Sequence, residues 1–535
     1  MNKNLLLLAL AALTSVGAGA QSIYDATQIA QKDLNGTARF VGMGGAMGAL
    51  GGDITTIGTN PAGIGIYRSN DVSFTTGYSL TGTEATYDRQ SFTNEKARWN
   101  ISNAGMVLST KIGNYTSLRY INFGFNYKKS KSFYRNLTMQ GLLGSVDGQF
   151  ISQVRTMADL ATASAKYVYQ AGNGEILNMG HSDIYRDSDV GWLGALGWGG
   201  ALLEEDTYTE KYNTYYPIIP DEVDGFFHSR ERGGIDQYDF NLAFNINDRF
   251  YFGLTLGVYD VDYHKYSLYD EDYGNREGYS LESFKRIFGT GYDVKLGTII
   301  RPFEESPLRI GLAVHSPTFY KLTYTNGALL NSAYLNADGQ LTNSTVDTYQ
   351  ALGGRDMDMD FELRTPWVFN ASLGYTVGNY LALGAEYEYE DYSTMNFKYF
   401  DGYDMTLENE EADFHLKGVS TIRLGAELKP TSEFALRAGY NYSTAAFKGT
   451  AYKYMPTNTI ATDTDFNNTK EMQTFTLGLG YRFSSCYLDL AYKYDTHKSD
   501  FYAFNNEFGN TVVTPPATKV DNTRSSVLLT LGIRF

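Results

Sequence analysis

The chain has 535 residues, with 44 Lys and Arg against 60 Asp and Glu, and the resulting net charge of −16 argues against a nucleic-acid partner, because a phosphate backbone calls for a basic surface. It contains 55 Gly, 44 Tyr and 31 Phe but 11 Pro and one cysteine, Cys486, which excludes an intramolecular disulfide. A mean hydropathy of −0.32 would suit a soluble chain, but a transmembrane barrel has the same average because its strands turn only alternate residues to lipid.

Lys3, the apolar run 5–13 and the triplet Ala18-Gly19-Ala20 before Gln21 have the form of a secretory signal peptide, so residues 1–20 are expected to be cleaved off. No cysteine lies near the cut, which argues against a lipid anchor. Beyond it no apolar run approaches the ~18 residues of a membrane-crossing helix. A membrane fold would therefore have to be a closed barrel, the only other structure that satisfies its backbone in lipid.

Residues 21–70 contain the glycine-rich stretch 42–52, which can turn tightly but has too few large side chains for a core of its own. This segment is expected inside the barrel as a plug, with a periplasmic tail as the plainer alternative. From Asp71 onward the chain alternates. Val527, Leu529, Leu531, Ile533 and Phe535 share one face of the last segment, and Phe475, Leu477, Leu479, Tyr481 and Phe483 do so in an earlier one. Fourteen such segments begin near residues 71, 99, 117, 235, 250, 291, 308, 361, 380, 419, 434, 473, 487 and 525. Short connections at 111–116, 247–249, 302–307, 377–379, 429–433 and 484–486 alternate with long ones at 82–98, 128–234, 264–290, 325–360, 398–418, 444–472 and 496–524. An all-β, 14-stranded antiparallel transmembrane barrel over 71–535, with periplasmic short turns and both termini on the periplasmic side, is the expectation.

The insertion 128–234 is too long for a simple connection. Phe150, Val154, Met157, Ala161, Ser164 and Val168 have helical spacing within it. Trp192, Leu193, Leu196 and Trp198 follow, and either pack against the barrel mouth or catch an apolar ligand. On the wet face of the strands lie Asp293, Lys295, Glu386, Glu388, Arg423, Glu427, Arg437, Arg482, Asp489 and Lys493. These form either an ion-pair network around the plug or, at Arg423 or Arg437, a contact for a ligand carboxylate. The six histidines are scattered, and neither a nucleophile elbow nor a phosphate-binding loop occurs, so neither a metal, a cofactor nor an enzymatic activity is expected.

Several stretches resemble the FadL/TodX-type outer-membrane transporters for long-chain fatty acids and aromatic hydrocarbons. Gly42 to Gly52 followed by Asn60-Pro61-Ala62 is similar to the family's hatch. Leu363-Arg364-Thr365-Pro366, Tyr387-x-Tyr389-x-Asp391-Tyr392-Ser393, Ile422-Arg423-Leu424-Gly425-Ala426-Glu427, Leu436-Arg437-Ala438-Gly439-Tyr440 and Gly478-Leu479-Gly480-Tyr481-Arg482-Phe483 are similar to successive family strands. The resemblance implies an N-terminal hatch closing the lumen, gated near Asn60, Pro61 and Ala62, an apolar capture site in the external loops, and a lateral gap beside a kinked third strand, where Gly124 is the candidate kink. It implies passive uptake of hydrophobic small molecules; a monomer in the outer membrane is expected, with the strand ending at Phe535 recognised by the barrel-assembly machinery. The alternatives are a haem-binding receptor, with His181 or His228 as contacts, and a general porin or structural barrel.

Overall fold

The computed structural model describes residues 21–535 apart from 147, 173, 208, 209, 221, 222, 337, 509 and 510; the expected signal peptide, residues 1–20, lies outside the described residues. Fourteen antiparallel strands close into a barrel. They are β1 (Asp71–Tyr87), β2 (Gln90–Lys111), β3 (Leu118–Ser132), β4 (Asp224–Ile246), β5 (Phe250–Asp272), β6 (Gly278–Ile300) and β7 (Arg309–His315, resuming as Phe319–Leu335). Then follow β8 (Met357–Arg364, resuming as Val368–Val377), β9 (Leu381–Asp391), β10 (Gly418–Leu428), β11 (Phe434–Ser443), β12 (Phe466–Phe483), β13 (Cys486–Tyr502) and β14 (Thr518–Arg534). Closure is made by β1 on β14, from Asp71↔Arg534 to Thr86↔Lys519, so the sheet has no free edge at the seam. An Arg534–Asp71 ion pair at 2.6 Å and the reciprocal backbone bonds of Asn70 and Phe535 fasten its lower end.

The period of two dictates which side meets lipid. Val527, Leu529, Leu531 and Ile533 are 37–57% exposed, whereas Ser526, Leu528 and Thr530 between them are buried. Such a band of outward apolar side chains on a closed barrel is the surface of a membrane-spanning protein of the outer-membrane type. All six short connections lie at one end of the barrel.

Two of the expected long loops are strand. Residues 82–98 form the top of the β1–β2 hairpin, which reverses at Asp88 and Arg89 in the left-handed region (φ 42° and 66°), and residues 264–290 are mostly the continued β5–β6 ladder up to Asp272↔Gly278. The insertion likewise starts later than expected, since β3 continues to Ser132 and a further strand, Arg135–Leu142, pairs with β4. Within the insertion, a helix over Gln153–Ala171 is capped by Ser152, whose side chain accepts from Val154 N, and a second helix, Trp192–Gly199, packs on it. Together with the other long connections they form a cap with a continuous apolar core over the barrel mouth.

Candidate functional site

Residues 21–70 run through the barrel interior, and most are buried. Their start is not at the periplasmic end. Helix α1 (Ile23–Ala30), near Gln21, sits at the cap end, where Tyr24 stacks on Phe447 and Asp25 meets Lys285 at 2.7 Å. Lys285 also binds Asp463 at 2.8 Å, so the segment is tied by buried charges to the cap. From there it descends to Asn70, beside Phe535.

Two features of the wall let it hold this segment. The first is the absence of side chains at close approaches: a Cβ on Gly425 would lie 2.3 Å from Met43 O and one on Gly439 2.2 Å from Gly44 N, so the glycine-rich turn rests directly on wall backbone. Asn60-Pro61 is seated in the same way, with a Cβ on Gly297 falling 2.1 Å from Asn60 Oδ1 and one on Gly253 2.2 Å from the Pro61 carbonyl carbon. The second is polar partnering of the segment's backbone, which buried groups require. Asn60 Oδ1 accepts from Ala62 N at 3.1 Å, capping the short 3₁₀ turn Pro61–Ile66, while Asn60 Nδ2 donates to Thr298 O at 3.2 Å. Asn241 Nδ2 donates to Pro61 O at 3.3 Å, and Asn122 Nδ2 to Ile64 O at 2.7 Å.

The inward charges named from the sequence join this arrangement. Glu427 receives Arg39 of the segment at 2.9 Å and Arg437 at 2.7 Å, and Arg437 reaches Asp489 at 2.5 Å. Arg423 bridges Glu386 at 2.7 Å and Glu388 at 2.5 Å, and Glu386 also accepts from Gly48 N. Arg423 and Arg437 therefore each hold two wall carboxylates in the ion-pair network around the segment. Arg482 differs from the others in being exposed at the short-turn end.

Between the segment and the wall lies a luminal chamber of about 200 Å³, lined by Lys32, Asp33, Leu34, Lys128, His315, Glu390 and Arg423 among others. Beside this chamber the barrel wall is irregular. The β2–β3 ladder runs only from Asn103↔Lys128 to Lys111↔Tyr120, although β2 continues to Gln90 against β1. At Lys129/Lys131 the register of β3 on β4 slips, and the strand Arg135–Leu142 then lies inside β1 and β2, with Thr83 Oγ1 donating to Asn136 O at 2.6 Å and Tyr87 OH to Leu142 O at 3.0 Å. The wall is thus split between upper β2 and β3. A cavity of about 30 Å³ lies behind the split and shares Asp33, Asn35 and Arg524 with the chamber. Across the split, the Arg98 guanidinium stacks 3.6 Å above the Tyr134 ring.

Gly124 is not at the irregularity. It pairs regularly with Val107 and Asn241, and a Cβ there would lie 2.8 Å from Ile57 Cδ1, so the missing side chain makes room for the segment. Trp192, Leu193 and Leu196 are not offered to a ligand at a free surface either: they are 1%, 0% and 0% exposed, and Trp198 is partly buried against the same core. Trp192 Nε1 donates to Tyr185 O at 3.1 Å. A loop assembly of this size has its own apolar interior to fill. His181 and His228 are engaged separately, one with Asp183 N and the other with Thr138 Oγ1. Beyond the gap that the family resemblance implied beside the third strand, nothing in the residue pattern marked the split or Arg98, Tyr134, Lys32 and Lys128; a strand whose neighbour stops pairing leaves no mark on residue pattern.

No family model and no curated protein matches the sequence. Solved structures do. A Pseudomonas aeruginosa FadL homologue superposes with a TM-score of 0.52 at 12% identity, covering 95% of this chain and 100% of that one. The CymD monoaromatic hydrocarbon channel gives 0.46 at 11% identity, over 95% of this chain and 98% of that one. The Ralstonia pickettii toluene transporter TbuX gives 0.44 at 12% identity, over 94% and 99%. The first of these likenesses shows the fold: this chain is a fourteen-stranded barrel of the FadL type, with an N-terminal segment ahead of its first strand.

Proposed function

We propose that the protein is a passive, ligand-gated channel for small molecules with a hydrophobic part. A solute enters through the cap, reaches the chamber, shifts the N-terminal segment around Asn60, Pro61 and Ala62, and leaves sideways between β2 and β3. The observation that carries this reading is the split: the lumen is occupied by residues 21–70, while the β2–β3 ladder ends at Asn103↔Lys128 beside the chamber. A stoppered bore with a side slit suits delivery into the membrane and counts against a general porin.

The test is to bridge the split. In a Cys486→Ser background, Arg98→Cys with Tyr134→Cys is cross-linked by a short bismaleimide, and uptake of labelled alkylbenzenes and fatty acids is followed in cells. Cross-linking should abolish uptake, and Tyr134→Ala alone should raise it. Full uptake by the bridged protein would remove the lateral route.

A further inference from the structure

A purely hydrocarbon cargo does not match the chemistry of the chamber. Its apolar side chains, among them Leu34, Phe40, Tyr392, Val419 and Met472, share the lining with an unusual number of charged ones, which a hydrocarbon would leave unanswered. Most of its charges have partners: Arg423 holds Glu386 and Glu388, Arg135 holds Glu231 at 2.6 Å, Lys131 and Arg524 hold Asp33, and Asp495 holds Lys493. The side chains of Lys32 and Lys128 form no hydrogen bond or ion pair among the described residues, and Glu390 is the one lining acid whose carboxylate is in the same state. Lys128 is only 6% exposed, and the acid nearest to answering it, Asp239, is already bound by Lys295 at 2.7 Å. His315 adds an acceptor: its Nε2 lies 2.8 Å from Thr59 O, which fixes the proton there and leaves Nδ1 buried without a partner.

An ammonium group kept out of bulk water without a counter-charge is costly. Lys128, buried, and Lys32, half-buried, share one chamber with a single free carboxylate and so leave a net demand for negative charge. We infer that the chamber binds a compact organic anion, a carboxylate or a phosphate monoester, held by Lys32 and Lys128 with His315 Nδ1 accepting from a ligand hydroxyl. The next unsatisfied cation on the way out is Arg98, whose Nη1 is buried without a hydrogen bond at the split, so the anionic group is passed from the chamber to the slot. As a statement about cargo this rests on the channel reading; as a statement about binding it stands on the chamber alone.

Binding to the full mature chain in detergent micelles is measured by calorimetry with benzoate, phenyl phosphate and the neutral isostere benzyl alcohol. At least one anion should bind about tenfold or more tightly than benzyl alcohol, and which of the two does so identifies the acid class. Lys128→Gln and Lys32→Gln should each weaken it about tenfold, while Lys470→Gln, a lining residue already paired with Asp500, should leave it unchanged. Heat-modifiable migration on gels checks that each variant is folded, and Lys32, outside the wall, covers the case in which Lys128→Gln fails to assemble. Equal binding of anion and alcohol, no anion binding, or anion binding insensitive to both substitutions overturns the inference. Neutral-solute uptake that persists through the split in that event leaves the channel reading intact; loss of the effect of cross-linking strikes the channel reading instead.

Discussion

Gly297→Val isolates the seat of Asn60-Pro61. Gly297 lies in the regular β6 ladder, opposite Gly253 and Ala313, so a β-branched residue suits the strand itself. Its Cβ, however, would fall 2.1 Å from Asn60 Oδ1 and 2.8 Å from Pro61 Cδ, and that turn cannot stay where it is. Displacement forfeits the bonds from Asn60 Nδ2 to Thr298 O, from Asn241 Nδ2 to Pro61 O and between His315 Nε2 and Thr59 O. At a net ~0.5–1.5 kcal/mol each, their loss amounts to about 3 kcal/mol. Every 1.4 kcal/mol is tenfold in an equilibrium, so the seated state should be disfavoured by about a hundredfold. In planar bilayers the parent protein should conduct rarely, and the variant's open probability should rise by that order. A folded variant with parental conductance would show that this turn does not stopper the lumen.

Glu427→Ala leaves Arg39 and Arg437 facing each other without their shared carboxylate, and should cost about 3–5 kcal/mol, read as a lower heat-modification temperature, with Glu427→Gln less damaging. Trp192→Ala removes a fully enclosed side chain and should destabilise the cap by about 3–5 kcal/mol, seen as faster proteolysis of the insertion while the barrel keeps its gel shift. Burial pushes the Glu408 carboxyl, in the cap helix Thr406–His415, up to about 7. The folded cap thus holds a proton that the unfolded chain releases from about pH 4.3 upward, so cap stability should fall by a few kcal/mol as pH rises through that window and level off above about 7. Glu408→Gln should flatten this profile in thermal unfolding followed by tryptophan fluorescence.

The membrane-spanning part of the fold was legible because lipid enforces the alternation: Phe475, Leu477, Leu479, Tyr481 and Phe483 can face only one way. The sorting of short and long connections then ordered the strands. Above the bilayer that constraint ends. The residues from Gln90 to Arg98 carry polar or charged side chains on both faces apart from Phe92 and Ala97, so nothing in their pattern separates strand from loop, and the turn at Asp88 and Arg89 lacks a glycine to announce it. The site was legible only in part. Asn60-Pro61-Ala62 stood out as a motif, but a glycine that bends a strand and one that admits a neighbour look alike in sequence, and Gly124 is of the second kind. An apolar loop segment such as Trp192 to Trp198 reads the same whether it is covered or bare. Lys128 differs from the paired lysines only in what surrounds it.

The length of the β5–β6 hairpin has a consequence for where a solute first meets the protein. Each strand has 23 residues, which at ~3.3 Å per residue and a tilt of ~40° reach about 58 Å along the barrel axis. The hydrocarbon zone takes up only ~25 Å of that. With the headgroup layers the bilayer takes up ~40–45 Å, so the mouth is carried about 15 Å clear of it, and an amphiphile arriving from outside is intercepted before it can partition into the outer leaflet.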